Sequence, residues 1–551
     1  MDDAPLDQSL TRPASPPRAA SAGVPTAIGR VNTVSGFKLV CVLASAGAGI
    51  EAYEHLQIGT LVKIPTASTI AFGFIESLTM QSATGEGREV AIAEIELLGE
   101  LVARGADGFA VFTRGISVYP TLGAPLFQAN SDDLAMIYDK PNSWTLAIGS
   151  LHQDPNRTAY LISQELLSKH SAILGTTGSG KSCALVLIVR SLLEAHPNGH
   201  VVLLDPHGEY APAFPGFCER ITPQNLQLPY WLLSFDEMCE ILCSRDPVSR
   251  SREAYILKDM IFAAKRDALE HGQSDAHLTV DTPVPYPLAS LVKGINDAMG
   301  KLDKPDSTLP YLRLLTTIDN LRHDKRYAFL FGSVAVRDNM VEILSRILRV
   351  PVAGKPITIF DLSAVPSEIV DVVVSLVCRL IFDFALWSDR DEAIPTLLVC
   401  DEAHRYIPGD ESLGFEPTRR SISRIAKEGR KYGVSLCLVT QRPSEISEPI
   451  LSQCSTVFAL RMSNEKDQNF VRRTLPETAS GLLNTLPTLR QQEAIVVGEG
   501  VAHPMHVRFN DLDARFRPKS DATNFPKAWE NDLKGSDFMR AVVERWRLQM
   551  R

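Results

Sequence analysis

The N-terminal part of the chain carries short apolar runs parted by turn residues. Phe37–Leu43, Leu61–Ile64, Ile70–Ile75 and Val90–Leu98 read as strands, and glycine-bearing turns such as Thr84-Gly85-Glu86-Gly87 separate them. This rhythm predicts a small β-barrel or sandwich over residues 26–115. Between 116 and 165 the strand signal weakens and Pro120, Gly123 and Pro141 mark turns, so the stretch reads as a connector. Beyond it the pattern changes. Ser171–Leu174, Val201–Leu204, Ile357–Phe360, Thr396–Cys400, Val434–Val439 and Thr456–Leu460 are largely apolar, and helical stretches lie between them. Strands apolar on both faces, alternating with helices, predict a mainly parallel sheet covered on both sides, hence an α/β domain over 166–515. The strand signal fades between Tyr230 and Val350. There Ile256, Leu257, Met260, Ile261, Ala264 and Ala268 recur with helical period, which predicts a helical insertion at about 225–350. In a C-terminal tail, 516–551, Ser536 can cap an amphipathic helix over Asp537–Gln549, suited equally to a neighbouring subunit or to the chain's own core. The chain shows no internal repeat.

Composition narrows the class. At 551 residues the chain is too long for one ordinary core, and 45% apolar with 22% charged residues excludes a mostly disordered, collagen-like or coiled-coil protein. The net charge of −9 means that any nucleic-acid contact must use a local basic surface. Residues 1–25 are rich in Pro, Ala and Ser without the apolar centre of a signal peptide, and read as a disordered tail. The longest apolar stretch, Ile369–Trp387, contains Asp371, Arg379 and Asp383, which argues against a membrane span. The nine cysteines are scattered. The closest pair, Cys239 and Cys243, lacks partners at zinc-ligand spacing, so cysteines read as core residues in a reducing, cytoplasmic compartment.

The strongest chemical signal is Gly175-Thr176-Thr177-Gly178-Ser179-Gly180-Lys181-Ser182, between an apolar strand and a helix beginning at Cys183. Glycines let successive backbone N–H groups curl toward phosphate oxygens, and the helix N-terminus adds partial positive charge. In such a cradle Lys181 reaches the β- and γ-phosphates of a nucleotide and the Ser182 hydroxyl binds Mg²⁺. The required second element is a carboxylate ending a neighbouring strand, supplied by Thr396-Leu397-Leu398-Val399-Cys400-Asp401-Glu402. Asp401 would hold magnesium through water and Glu402 would act as general base toward the attacking water, an arrangement that favours hydrolysis over transfer to another acceptor. The strand Val434–Val439 ends in Thr440-Gln441-Arg442-Pro443, which places Gln441 to sense the γ-phosphate, or simply to cap a loop. Before it, Arg419–Lys431 holds six basic residues and one acid. That run fits a solvated helix face or a source of an arginine for an adjoining subunit's site.

Together these residues resemble the HerA branch of the FtsK/HerA hexameric ATPases. The resemblance is carried by Leu174–Ser182, by Leu203-Leu204-Asp205-Pro206-His207-Gly208-Glu209-Tyr210, by Cys400-Asp401-Glu402-Ala403-His404, by Glu428-Gly429-Arg430-Lys431-Tyr432-Gly433 and by Thr440-Gln441-Arg442-Pro443, and it covers residues 25–515. It implies a RecA-like P-loop ATPase core preceded by a small β-barrel. ATP and Mg²⁺ are then held by Gly175, Thr176, Thr177, Gly178, Ser179, Gly180, Lys181, Ser182 and Cys183, with Ser182 and Asp401 on the metal. Glu402, Lys181, Gln441 and Arg430 become the catalytic set. Arg430, eleven residues before Gln441, is the arginine finger acting across subunits, with Arg424 as the fallback. Asp205 and His207 support the site or serve as turn residues.

The resemblance further implies a homohexameric ring that translocates on or remodels double-stranded DNA, working with a nuclease or sirtuin-like effector in DNA processing or anti-phage defence. Lys301, Lys304, Arg313 and Arg322 of the insertion stand either as DNA contacts or as solvated surface. The chain departs from FtsK itself and from conjugative coupling proteins, since neither membrane helices nor a winged-helix domain is visible. Another reading keeps the ring but makes it a nucleotide-gated scaffold that regulates an effector enzyme; a third is a nucleotide switch without a track.

Overall fold

A computed structural model of the chain describes residues 26–44, 56–82, 89–104, 109–269, 275–301, 305–332, 336–363, 365, 367–475, 480–519, 529–530 and 535–547. The expected tail over 1–25 and the turn at 84–87 lie outside the described residues. The chain divides into two units, 1–130 and 131–551.

The first unit is a barrel. Its strands are β1 (Gly29–Ser35), β2 (Lys38–Leu43), β3 (Leu61–Pro65), β4 (Thr69–Ser82), β5 (Glu89–Arg104), β6 (Phe109–Arg114) and β7 (Pro125–Gln128). They run β2-β1-β7-β3-β4-β5-β6, and an added β2–β5 pairing closes six of them into a ring that β6 extends. Closure needs the long β5 to bend, and the β4–β5 ladder does so at bulges between Phe72 and Gly73 and between Ile75 and Ser77. A Cβ on Gly73 would lie 2.5 Å from the Glu96 carbonyl oxygen, so only glycine fits that approach. Alternating side chains, among them Val31, Leu39, Cys41, Ile64, Ile75, Ile95 and Leu126, fill the interior. The barrel is thus larger than the expected 26–115 span. β7, from the stretch read as a connector, joins β1 to β3, and without it the ring would have two free edges.

That stretch also contributes two strands to the second unit's sheet. The second unit contains β8 (Thr145–Leu151), β9 (Thr158–Ile162), β10 (His170–Leu174), β11 (His200–Asp205), β12 (Cys218–Ile221), β13 (Ile357–Asp361), β14 (Thr396–Cys400), β15 (Val434–Thr440), β16 (Cys454–Leu460), β17 (Glu493–Gly498) and β18 (Met505–Phe509). They form one sheet in the order β12-β13-β11-β14-β15-β10-β16-β17-β18-β8-β9. From β12 to β16 neighbours are parallel; from β16 onward they are antiparallel. Gly149 sits inside β8 at a bulge, where a Cβ would come within 2.0 Å of the Arg508 carbonyl oxygen. β10, β13, β14 and β15 are buried along their whole length, as strands covered on both faces must be.

Among the described residues between β12 and β13, the α-helices Phe235–Leu242, Pro247–Ala268, Leu288–Met299, Pro305–His323, Ala328–Phe331 and Met340–Leu348 fall in the expected insertion. Arg313 there is engaged with the Ser249 hydroxyl at 2.9 Å and with Glu253 at 3.6 Å, while Lys304 lies outside the described residues. Helix Ser367–Trp387 follows β13, and no described helix is long and apolar enough to cross a membrane. Its Arg379 makes an ion pair at 3.0 Å with the buried Glu237, which also accepts from Ser375 Oγ at 2.7 Å and closes the capping box of Ser234. Arg379→Ala leaves that carboxylate buried without a cation, so denaturant unfolding is expected to show a loss of about 3–5 kcal/mol; an unchanged midpoint would refute the pairing's importance. The C-terminal helix, Ser536–Arg547, begins at Ser536 and buries none of its residues.

Candidate functional site

β10 is flanked by β15 and β16, and the cradle leaves its C-terminal end between theirs. Gly175 N donates to the Thr440 carbonyl at 3.3 Å and Thr176 N to the Arg461 carbonyl at 3.0 Å, tying the loop to both neighbours. The loop then folds on itself: Ser179 Oγ and Lys181 Nζ donate to the Thr176 carbonyl at 2.7 and 3.1 Å. Gly178 and Gly180 have φ of 75° and 104°, a region L side chains avoid. A Cβ on Gly178 would meet nothing within 4 Å, so the rim is open. Helix Lys181–Ala195 starts immediately, which brings Lys181, Ser182 and Cys183 into its first turn.

The acid pair ends β14, which is not adjacent to β10 as the sequence suggested. β15 lies between them and contributes Gln441 just past its end. Thr177 Oγ1 donates a short hydrogen bond to Gln441 Oε1, so the expected sensor does touch the cradle. Asp401 is 6% exposed, and burial together with the adjacent Glu402 carboxylate pushes it up to about 8. Burial pulls Lys181 below the usual lysine range, against the opposing pull of Glu402, Asp401 and Glu209. Glu402 occupies the left-handed region at φ 49°, a strained backbone of the kind that clusters at functional sites. Its Oε2 lies 3.3 Å from His404 Nδ1 but completes no hydrogen bond, because His404 Nδ1 instead meets Thr440 Oγ1 at 3.1 Å.

Asp205 ends β11 as a turn residue. Its Oδ1 accepts from the N–H groups of His207, Gly208 and Glu209 at 3.3, 2.8 and 3.2 Å, and its Oδ2 accepts from Tyr210 N at 3.0 Å. That turn sets His207 Nε2 at 3.9 Å from Glu402 Oε1. It also sinks Tyr210, whose hydroxyl faces Ser182 and Asp401 without completing a hydrogen bond of good geometry. Tyr210 and His404 stand in recognised motifs yet received no role from sequence. Gln491, whose Nε2 donates to the Gly178 carbonyl at 3.1 Å, carries no sequence signal at all.

A buried carboxylate oxygen and a buried hydroxyl without partners, set against an open glycine loop and a lysine, are a donor set that fits a nucleoside triphosphate with a divalent cation. Arg430 and Arg424 lie elsewhere. Arg430 is in the turn Gly429–Tyr432 before β15, at the opposite end of the sheet from the cradle, exposed and without an ion pair among the described residues. Arg424 reaches Asp383 at 3.6 Å and stacks 4.3 Å from the Phe382 ring centroid.

Residues 146–381 match the family described as Helicase HerA, central domain. A probable helicase of Methanocaldococcus jannaschii is 27% identical over 459 residues, covering 82% of each chain. The DNA double-strand break repair helicase HerA of Pyrococcus furiosus is 26% identical over 509 residues, covering 84% of this chain and 83% of its own. That of Saccharolobus solfataricus is 26% identical over 489 residues, covering 85% and 90%. With a P-loop on the central strand, an acid pair two strands away and a closed N-terminal barrel, the chain is a P-loop ATPase whose residues 146–381 match the HerA central domain and which is similar to HerA-type helicases over 82–85% of its length.

Proposed function

We propose that the chain is a ring-forming motor that hydrolyses ATP to translocate on or remodel duplex DNA. The observation that carries the hydrolytic part is Glu402, a part-buried, strained carboxylate with one enclosed, unpartnered oxygen beside the cradle lysine. In this reading the cradle N–H groups of Gly175–Cys183 and Lys181 bind the phosphates. Ser182 and Asp401 hold magnesium, which when bound draws charge from the phosphate oxygens. Glu402 takes the proton of the attacking water. Gln441 orients that water, held in place by Thr177, and His404 and His207 flank the Glu402 carboxylate, one beside each oxygen. The exposed Arg430 is too far from its own cradle to serve it, which supports action in trans and hence a homohexamer.

DNA as the track rests on the three relatives described above, each of which bears the name helicase. Phosphate contacts repeated around a ring would suffice despite a net charge of −9 per chain. A nuclease or sirtuin-like effector partner and a place in DNA processing or phage defence complete the proposal, in a reducing cytoplasm that suits nine unpaired cysteines.

The test is steady-state ATP hydrolysis by the purified chain with and without linear duplex DNA. Strong stimulation is the expected result. Turnover indifferent to DNA, or appearing only with an effector protein, would overturn the motor in favour of the nucleotide-gated scaffold.

A further inference from the structure

Away from the acid pair, the antiparallel end of the large sheet gathers a second cluster of ligating side chains. The register sets it. β18 pairs with β8 so that Val507 faces Leu151, which brings His506 opposite His152, just past the end of β8; His152 N donates to the His506 carbonyl at 2.9 Å. On its other side β18 pairs with β17, where Ile495 faces His506 and Glu493 lies two residues along. Side chains two apart share a sheet face, so all three project together. Their rings and carboxylate meet: His152 Nδ1 is 3.4 Å from Glu493 Oε1, His506 Nε2 is 3.5 Å from Glu493 Oε2, and the imidazoles stack with centroids 4.0 Å apart. One ligand atom from each residue falls within 4.8 Å of the other two.

We propose that His152, Glu493 and His506 bind a transition-metal ion of the zinc type, separate from the magnesium of the nucleotide site. Ligands at about 2.0–2.1 Å from a tetrahedral ion stand about 3.3–3.4 Å from one another, close to the two histidine–carboxylate separations, which run to different oxygens of Glu493; rotating the half-exposed His152 ring out of its stack would bring both imidazole nitrogens to face one ion. Neither imidazole–carboxylate approach is a hydrogen bond, and the buried His506 Nε2 has no hydrogen-bond partner. A metal would satisfy that nitrogen without rebuilding the sheet. Glu493, 5% exposed, is already oriented, since its Oε2 accepts from Arg490 N at 2.9 Å, the kind of outer contact that fixes metal-binding carboxylates. His152 is half exposed and gives the ion its entry, with water in the fourth position. Two imidazoles and one carboxylate favour zinc or a similar ion over magnesium or calcium, which prefer all-oxygen sets.

The site also has a mechanical address. The residue before Glu493 is Gln492, at φ 66°, whose N–H points at the Ser179 carbonyl at 3.5 Å, and Gln491 holds the Gly178 carbonyl. An ion on Glu493 would therefore brace the segment that backs the phosphate cradle.

The experiment uses the full chain, stripped of metal and free of nucleotide, titrated with Co²⁺ and followed by visible absorption. One ion per chain with the intense bands of four-coordinate cobalt is expected, displaced by Zn²⁺ but not by excess Mg²⁺. His152→Ala, a change at a half-exposed position, and His506→Ala should each weaken binding by about tenfold or more. No uptake by the folded wild-type chain, displacement by Mg²⁺, or equal uptake by the wild type and His152→Ala would overturn the site. Because no ATP is present, the outcome is independent of whether the chain is a motor.

Discussion

Glu402→Gln is expected to lower steady-state ATP hydrolysis by about two to four orders of magnitude while ATP affinity stays near that of the wild type. The argument is one of separated roles. The amide keeps the size of the side chain and can occupy the same left-handed backbone, so the strained turn after β14 survives. What it loses is the capacity to take a proton from water. Binding depends on other groups, namely the cradle N–H groups, Lys181 and Ser182. Asp401→Asn separates the two functions from the other side. Asp401 is the more buried acid, held protonated up to about 8 in the absence of a cation, and its replacement should raise the magnesium concentration needed for half-maximal turnover. Equilibrium binding of a fluorescent ATP analogue, run beside a phosphate-release assay, distinguishes the outcomes. Turnover retained by Glu402→Gln would remove this residue from the chemistry.

Which parts of this site were legible in the sequence follows from how local each one is. The cradle is a continuous segment whose glycines, lysine and serine must be consecutive for the backbone to curl, so it shows in a short window. The acid pair and Gln441 each follow a largely apolar strand and show in the same way. Tyr210 and Asp205 did not reveal their geometry, because the turn depends on one carboxylate accepting from four successive N–H groups. Strand order was equally hidden: nothing local to β14 says that β15 separates it from β10. Gly149 and Pro125 fall in the stretch read as a connector, although one sits at a bulge inside a strand and the other opens a strand that closes the barrel. The cluster of His152, Glu493 and His506 was the least legible. Its members lie on or beside three strands, and only the register of two ladders brings them together.

Arg430→Ala is expected to reduce hydrolysis by about three to five orders of magnitude, the range for loss of an arginine finger, without loss of ATP binding. The position of its turn restricts any such role to a neighbouring subunit's site. Gly429 and Gly433 bracket the turn: a Cβ on the first would stand 2.6 Å from the Val434 carbonyl oxygen, and the second has φ of 79°. The turn therefore presents Arg430 outward at one end of β15 while Gln441 and the cradle lie at the other. Seven residues of strand separate them, about 20 Å at the usual rise. No side chain spans that distance back to its own cradle. Arg424, held by Asp383 and Phe382 of its own subunit, should tolerate alanine with turnover largely kept. Mixing supplies the decisive result. Assemblies of Arg430→Ala alone or Glu402→Gln alone are expected to be inactive, whereas in a mixed ring an Arg430→Ala subunit would keep its Glu402 and receive Arg430 from a Glu402→Gln neighbour. Activity should then appear at those interfaces and peak at intermediate ratios. A mixture as inactive as its components, with mixed assembly verified by mass, would show that Arg430 does not complete a neighbour's site.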